Sequence, residues 1–173
     1  EGGRVWVPKD RKDRRHGKDI PEAERYYFLE DRYPKYRNLV PRDIASREIF
    51  RTVIHEGYSA EGEQAAYLDV THLCKTASGK SAVRKKLEGV LEIYEKFAGA
   101  DPYENPMKIF PAVHYSMGGL WVDFEKGADG SLTPVSARNQ ATSIPGLYAT
   151  GESDYQFHGA NRLGANSLLS CIY

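Results

Sequence analysis

The segment of residues 159–168 offers groups that could hold an anion. It reads Gly-Ala-Asn-Arg-Leu-Gly-Ala-Asn-Ser-Leu and follows a strand-like run at 146–152. Arg162 brings a planar set of donors that can grip a carboxylate through two hydrogen bonds. From Leu168 onward the sequence turns apolar, which predicts a polar loop leading into a buried helix, and the free N–H groups at a helix start suit an anionic or electron-rich ligand. The alternative interpretation is an ordinary loop-to-helix cap with a surface arginine.

A second segment, residues 114–119, places a histidine just before two adjacent glycines. Gly118 and Gly119 follow a strand-like run, where glycine permits positive φ and a close approach of the backbone to a flat ligand. His114 would then stand beside that ligand. A lone histidine at a strand end is also common as a purely structural residue, so both interpretations stay open on these residues alone.

Arg42 is the third candidate, because of its position in a predicted helix. The segment Pro41-Arg42-Asp43 marks a helix start, so the arginine lies in the first helical turn. A cation there opposes the helix dipole, and local helix energetics therefore do not explain its placement. The alternative interpretation is a salt bridge along that helix.

Taken in order along the chain, these segments resemble the flavoprotein subunits of succinate dehydrogenase and fumarate reductase. The matching strings are residues 39–43 (Leu-Val-Pro-Arg-Asp), 114–119, 150–152 (Thr-Gly-Glu) and 158–168. The aromatic-rich segment at 26–36 is similar to the succinate dehydrogenase branch. The resemblance covers essentially the whole chain, and the strings together are specific, whereas each glycine motif alone would be weak support.

The resemblance implies an enzyme that oxidises succinate, a C4 dicarboxylate, to fumarate. Arg42 takes the position of the catalytic proton carrier. Arg162 matches an arginine that grips a substrate carboxylate, and His114 matches a histidine that hydrogen-bonds the substrate. A dicarboxylate needs two separated anion-binding groups, and these two residues supply part of that requirement.

The resemblance also implies FAD as the cofactor of the complete protein. Glu152 matches the glutamate that binds a hydroxyl of the flavin sugar alcohol. Ser167 and Leu168 match positions whose backbone meets the flavin ring, where a helix start would stabilise the negative charge of reduced flavin. The family's dinucleotide-binding glycine motif, and the histidine that carries covalent flavin in many members, cannot be assigned to any residue.

The two ends of the sequence are consistent with the lack of these motifs. The chain begins at Glu1 rather than at a methionine and stops at Tyr173 within an apolar helical pattern. We interpret it as an internal part of a longer protein. With half a flavin site, the part alone is expected neither to hold FAD tightly nor to turn over substrate.

The partners implied by the resemblance are an iron–sulfur subunit, a quinone and a membrane anchor, which would place the protein in the cytoplasm at the inner face of the cell membrane. Fumarate reductase shares these motifs and stays an alternative. L-aspartate oxidase shares the Gly-Ala-Asn-Arg string, but Met117 and Gly164 fit the dehydrogenases better. A different class of function is a non-catalytic domain that only binds partner subunits.

Composition limits the other classes of function that the chain could have. The 173 residues include 24 Lys+Arg and 24 Asp+Glu, so net charge gives no support for nucleic-acid binding. No apolar run approaches the roughly 20 residues that span a bilayer as a helix. Cys74 and Cys171 form neither a metal-ligand cluster nor a disulfide framework, which indicates two reduced thiols and no metal site.

Periodicity predicts an α+β fold in two parts, with a boundary near residues 106–111. The first part, 1–110, is helix-rich and resembles the family's capping domain; the second, 111–173, is β-rich and resembles a returning part of the FAD-binding domain. Helices are expected at about 21–32, 43–56 and 81–98. Strands are expected at 65–73, 109–115, 120–124 and 132–135, and the charged residues 4–18 are expected as a solvated loop.

The predicted helix at 81–98 has the clearest pattern. Its apolar residues recur at helical spacing, which predicts a single buried stripe. The members of this stripe are Val83, Leu87, Val90, Leu91, Tyr94 and Phe97.

Overall fold

A computed structural model of the chain describes residues 2–116, 118–154 and 166–172. The chain divides into two units, Glu1–Ala112 and Val113–Tyr173. The first unit contains a sheet and the longer helices, and the described part of the second consists of loops, a 3-10 turn and a short helix. The fold is mixed α+β, as the sequence predicts.

An antiparallel sheet of four strands, in the order β2-β1-β3-β4, forms the centre of the first unit. The strands are β1 (Arg4–Pro8), β2 (Arg25–Tyr26), β3 (Ala66–Asp69) and β4 (Met107–Ile109). Along β1 the side chains alternate between faces, so Val5 and Val7 join one apolar cluster and Trp6 joins another. Trp6 is fully buried, with its ring centroid 4.4 Å from that of Tyr67.

The expectation of a solvated loop over residues 4–18 is wrong for its first part, because β1 is a central strand. A short apolar run, Val-Trp-Val at 5–7, comes just before the charged residues 9–18 and packs into two apolar clusters. The following residues are mostly exposed, as predicted. They are nevertheless held in place, since Arg15 pairs with Asp13 and Glu24.

Helices cover the sheet and differ in length from the predicted ones. They are α1 (Phe28–Arg32), α2 (Arg42–Phe50), a π-helix that continues α2 over Arg51–His55, and α3 (Ala77–Ala98). Short 3-10 turns lie at Gly17–Asp19, Glu22–Glu24, Arg37–Leu39 and Thr71–Leu73.

The helix predicted over 21–32 is wrong in its first half. Residues Glu22–Glu24 form a 3-10 turn, and Arg25–Tyr26 pair with β1, so tertiary strand pairing overrides the helical pattern there. Helix α3 begins earlier than the expected residue 81, because the Thr76 hydroxyl caps its start by accepting a hydrogen bond of 3.1 Å from the Gly79 amide.

The predicted stripe on α3 is only partly buried. Val83 and Leu91 are buried and Tyr94 packs beside them, against the sheet end that carries Met107. Leu87 is 40% exposed, Val90 is 65% exposed and Phe97 is 90% exposed within the described part of the chain, so their assignment to the core is wrong. The sheet covers only part of the predicted stripe, and these three residues lie outside the cluster that packs against it.

The second unit contains isolated bridges where strands were expected. Leu120 pairs with Asp154, Lys126 with Leu132, and Ala141 with Tyr148. Among its described residues, regular structure is limited to the 3-10 turn Gly151–Ser153 and helix α4 (Asn166–Ile172). The expected strands at 120–124 and 132–135 do not form, since a strand needs a neighbour along its length and the pairing found is one residue long. The strand expected at 109–115 overlaps β4 only at Ile109 and does not continue beyond it.

No helix in the described ranges is both long enough and apolar enough to cross a bilayer.

Candidate functional site

Arg42 is the first residue of α2, in the first helical turn as predicted, and its side chain is exposed. Pro41 precedes it and provides no side-chain cap. The neighbouring Asp43 accepts a hydrogen bond of 3.1 Å from Arg47, one turn further along the helix. A cation at a helix start is electrostatically disfavoured by the dipole, so the position of Arg42 still calls for a reason outside the helix.

Arg32 fixes the helix that carries Arg42. Its guanidinium donates to the carboxylates of Glu48 and Glu56 and, at 3.1 Å, to the hydroxyl of Thr52. Thr52 is fully buried, while the side chain of Arg32 is 19% exposed. Burial by itself lowers the pKa of Arg32, but the hydrogen bonds to Glu48 and Glu56 raise it more, so the arginine is charged.

The role of Arg32 is not among the predictions from the sequence, although part of the signal is present there. Glu48, Thr52 and Glu56 follow one another at four-residue intervals, which places them on one face of a helix. Their partner could not be selected from the sequence, because the chain has 24 lysines and arginines.

The loop after His114 lies against another part of the second unit. The Leu120 amide donates a hydrogen bond of 2.9 Å to the Ser153 carbonyl, and Leu120 bridges Asp154 in parallel. A Cβ built on Gly119 would clash with the carbonyl oxygens of Ser153 and Asp154 and would lie 2.8 Å from the carbonyl carbon of Asp154. Gly119 thus makes a close approach to the chain's own backbone, whereas the close approach predicted for these glycines was to a flat ligand and stays a prediction.

Glu152 lies in the turn that this loop touches. Its carboxylate is exposed and accepts no hydrogen bond from the residues that the structure describes. Gly151, at φ +66°, lies against α4, with its built Cβ 3.5 Å from the Cys171 sulfur. In that helix Ser167 is 8% exposed and Leu168 is 72% exposed.

Three of the predicted site segments therefore adjoin within the second unit. The loop at 118–120 touches the turn that carries Glu152 through Ser153 and Asp154, and α4, which carries Ser167 and Leu168, contacts the same turn at Gly151. His114 has an exposed side chain a few residues before this loop. Arg42 belongs to the first unit.

Two predicted positions, Arg162 and Met117, lie outside the described residues, as does the whole segment 155–165. An exposed carboxylate such as that of Glu152 is compatible with a flavin's sugar alcohol, because it can accept hydrogen bonds from hydroxyl groups. Within the described ranges, no group of three His, Cys, Asp or Glu residues could hold a metal ion. Both cysteines are free.

Comparison with known proteins identifies relatives along the whole chain. A family model described as FAD binding domain matches residues 4–168. The succinate dehydrogenase flavoprotein subunit of Bacillus subtilis (strain 168) is 51% identical over 173 residues, which are 100% of this chain and 24% of that protein. The 8-methylmenaquinol:fumarate reductase flavoprotein subunit of Wolinella succinogenes is 40% identical over 143 residues, or 81% of this chain and 20% of that protein.

A solved structure also resembles the chain. The FrdA chain of E. coli quinol fumarate reductase superposes with a TM-score of 0.62 at 31% identity, covering 99% of this chain and 26% of that one. The chain thus spans about a quarter of the length of the relatives that it matches.

Proposed function

The chain belongs to the FAD binding domain family, and we propose that the complete protein containing it is the flavoprotein subunit of a succinate dehydrogenase. The observation that carries this proposal is the 51% identity with such a subunit, sustained over all 173 residues. In this proposal, residues 1–110 belong to the capping domain and 111–173 to a returning part of the FAD-binding domain. The division of the structure after Ala112 supports that boundary.

The described residues suit the flavin side of the site. Glu152 would bind a hydroxyl of the flavin sugar alcohol, and the backbone at Ser167 and Leu168 would face the ring. The exposed carboxylate of Glu152, in a turn that contacts both the 118–120 loop and α4, supports these roles. When bound, FAD supplies a two-electron acceptor.

Oxidation of succinate to fumarate removes a hydride from one methylene carbon and a proton from its neighbour, and the carbon–carbon double bond forms between them. Arg162 and His114 would bind the substrate through a carboxylate and through a hydrogen bond. Arg42 would take the proton from the methylene carbon, and in the reverse direction its guanidinium would return a proton to that carbon.

An arginine in this role needs an explanation, because guanidinium hardly ever loses its proton in proteins. In fumarate reduction, hydride addition to one carbon leaves the other strongly basic, which makes proton donation from guanidinium feasible. In succinate oxidation, a transiently neutral Arg42 is needed.

The complete protein is further proposed to pass electrons to an iron–sulfur subunit and then to a quinone. A membrane anchor would hold this assembly in the cytoplasm at the inner face of the cell membrane. The likeness to quinol fumarate reductase, in 99% of this chain, supports a quinone-linked assembly.

Fumarate reductase is the second candidate function, supported by the 40% identity with the Wolinella succinogenes subunit. L-aspartate oxidase and a non-catalytic binding domain are the other outcomes of the test. Steady-state rates of the complete protein with succinate, fumarate and aspartate would decide among them. Faster succinate oxidation than fumarate reduction supports the proposal, and a preference for fumarate or aspartate, or FAD binding with no turnover, overturns it.

A further inference from the structure

Gly119 occupies the closest backbone approach between two of the site segments. Its built Cβ would lie 2.8 Å from the Asp154 carbonyl carbon and would overlap the carbonyl oxygens of Ser153 and Asp154. These neighbours are backbone atoms, which cannot rotate away as the end of a flexible side chain can. Any side chain at this position therefore forces the two segments apart.

The segments on either side of this contact carry the groups assigned to two different ligands. The loop that reaches Gly119 begins at His114, which is proposed to bind substrate. The opposing turn begins at Gly151 and presents Glu152, which is proposed to bind the flavin sugar alcohol. The hydrogen bond from the Leu120 amide to the Ser153 carbonyl, 2.9 Å long, holds the two backbones at this spacing.

The turn also contacts α4. Gly151 adopts φ +66° and faces Cys171 of α4 at 3.5 Å, measured from its built Cβ to the sulfur. Asp154, at the end of the turn, is 1% exposed. Because the turn is fixed in this way, a side chain at residue 119 would displace chiefly the exposed loop that carries His114.

We propose that Gly119 is a positioning residue: the absence of a side chain there sets the distance between the substrate-binding loop of His114 and the flavin-binding turn of Glu152. The proposal rests on the proposed function in its assignment of the two ligands. The backbone contact that it invokes does not depend on that assignment.

The test uses Gly119→Ala in the complete protein. Gly89→Ala is the matched control, because Gly89 lies within α3 and its built Cβ meets nothing within 4 Å. Hydrogen exchange, read from overlapping peptides that cover residues 119–122, reports whether the Leu120 amide is bonded. Steady-state kinetics, with rates divided by bound FAD, report whether the substrate loop keeps its place.

The proposal predicts slow exchange at Leu120 in the wild type and faster exchange in Gly119→Ala. It also predicts a KM for succinate raised about 10- to 100-fold per bound flavin in that variant, with a smaller fall in kcat. Gly89→Ala should match the wild type in both. If Gly119 had only a structural role, Gly119→Ala would lower thermal stability and FAD content and would leave the KM of the flavin-loaded fraction unchanged.

Three other results would each overturn the positioning role of Gly119. An unchanged KM overturns the positioning role, whether or not exchange accelerates, and a raised KM with exchange as slow as in the wild type assigns the effect to another cause. Fast exchange at Leu120 in the wild type would show that the contact does not form. This measurement does not depend on the folding of any variant. If the wild type does not oxidise succinate, the proposed function fails, while hydrogen exchange still decides whether Gly119 joins the two segments.

Discussion

One guanidinium nitrogen of Arg32, Nη2, lies 2.7 Å from both carboxylate oxygens of Glu56. The other, Nη1, bonds Glu48 and the buried hydroxyl of Thr52. One side chain of α1 thereby ties down both α2 and the π-helix that continues it. Since α2 begins with Arg42, this cluster fixes the direction of the helix that presents the proposed proton carrier.

Replacing Arg32 should therefore be costly. Arg32→Met removes the cation that pairs with the largely buried carboxylate of Glu48 and leaves Glu56 only its pair with Arg51, and the expected loss of stability is at most about 3–5 kcal/mol. The matched control is Arg47→Gln, because Arg47 is 75% exposed and its pair with Asp43 should contribute about 1 kcal/mol or less. Thermal melting of the complete protein measures both, and equal shifts for the two variants would contradict this interpretation.

Arg42→Gln should abolish turnover without unfolding the protein. If Arg42 carries the proton, succinate oxidation and fumarate reduction should both fall by at least about 100-fold. Dicarboxylate binding should weaken far less, because the proposed carboxylate-binding residues His114 and Arg162 remain. The control is again Arg47→Gln, on the same helix.

A purely structural Arg42 would give a different result. The variant would then melt at a lower temperature and keep appreciable activity per folded molecule. Turnover and melting temperature measured on one sample separate the two cases, and retained turnover would exclude Arg42 as the proton carrier.

Glu61 should make stability depend on pH in the acid range. Burial raises the pKa of its carboxyl, but the positive charge of Lys108 and hydrogen bonds from Tyr67 and His16 outweigh burial, and the net shift is below its ordinary 4.5. The Tyr67 hydroxyl lies 3.2 Å from Oε1 of Glu61, and Lys108 Nζ lies 3.5 Å from Oε2. A lowered pKa in the folded state means that the ionised carboxylate stabilises the fold.

The contribution of Glu61 is therefore fully present above pH 4.5 and is lost as the pH falls through the lowered folded value. Glu61→Gln should lower the melting temperature near about pH 7, and its difference from the wild type should shrink toward about pH 3. Glu88→Gln is the control, since Glu88 makes an exposed pair with Arg84 on α3. A Glu61→Gln difference that stays constant with pH would contradict the prediction.

The sequence predicts the fold best where local signals act alone. The start of α2 at Arg42 follows from the Pro-Arg-Asp string, and the α+β class follows from periodicity. Prediction failed where distant residues decide the outcome. Arg25–Tyr26 became a strand because β1 offers a partner, and Phe97 stayed exposed because the sheet covers only part of the predicted stripe on α3.

In the candidate site, too, local motifs could be predicted from the sequence and contacts between distant residues could not. Motif strings identify His114, Glu152 and the start of α4 as positions of interest, and these roles stay predictions. The contact between Gly119 and the backbone of Ser153 could not be predicted, because the two residues are far apart in sequence and only the folded chain brings them together. The cluster around Arg32 was missed for the same reason.

In the proposed function, the complete protein oxidises succinate with its own flavin. The most direct measurement is an anaerobic titration of the complete, FAD-loaded protein, in which the visible absorbance of the oxidised flavin is followed as substrate is added. We expect that succinate bleaches this absorbance, that aspartate does not, and that Arg42→Gln loses the response while Arg47→Gln keeps it. If succinate leaves the absorbance unchanged, or if aspartate bleaches it instead, the protein is not a succinate dehydrogenase flavoprotein subunit.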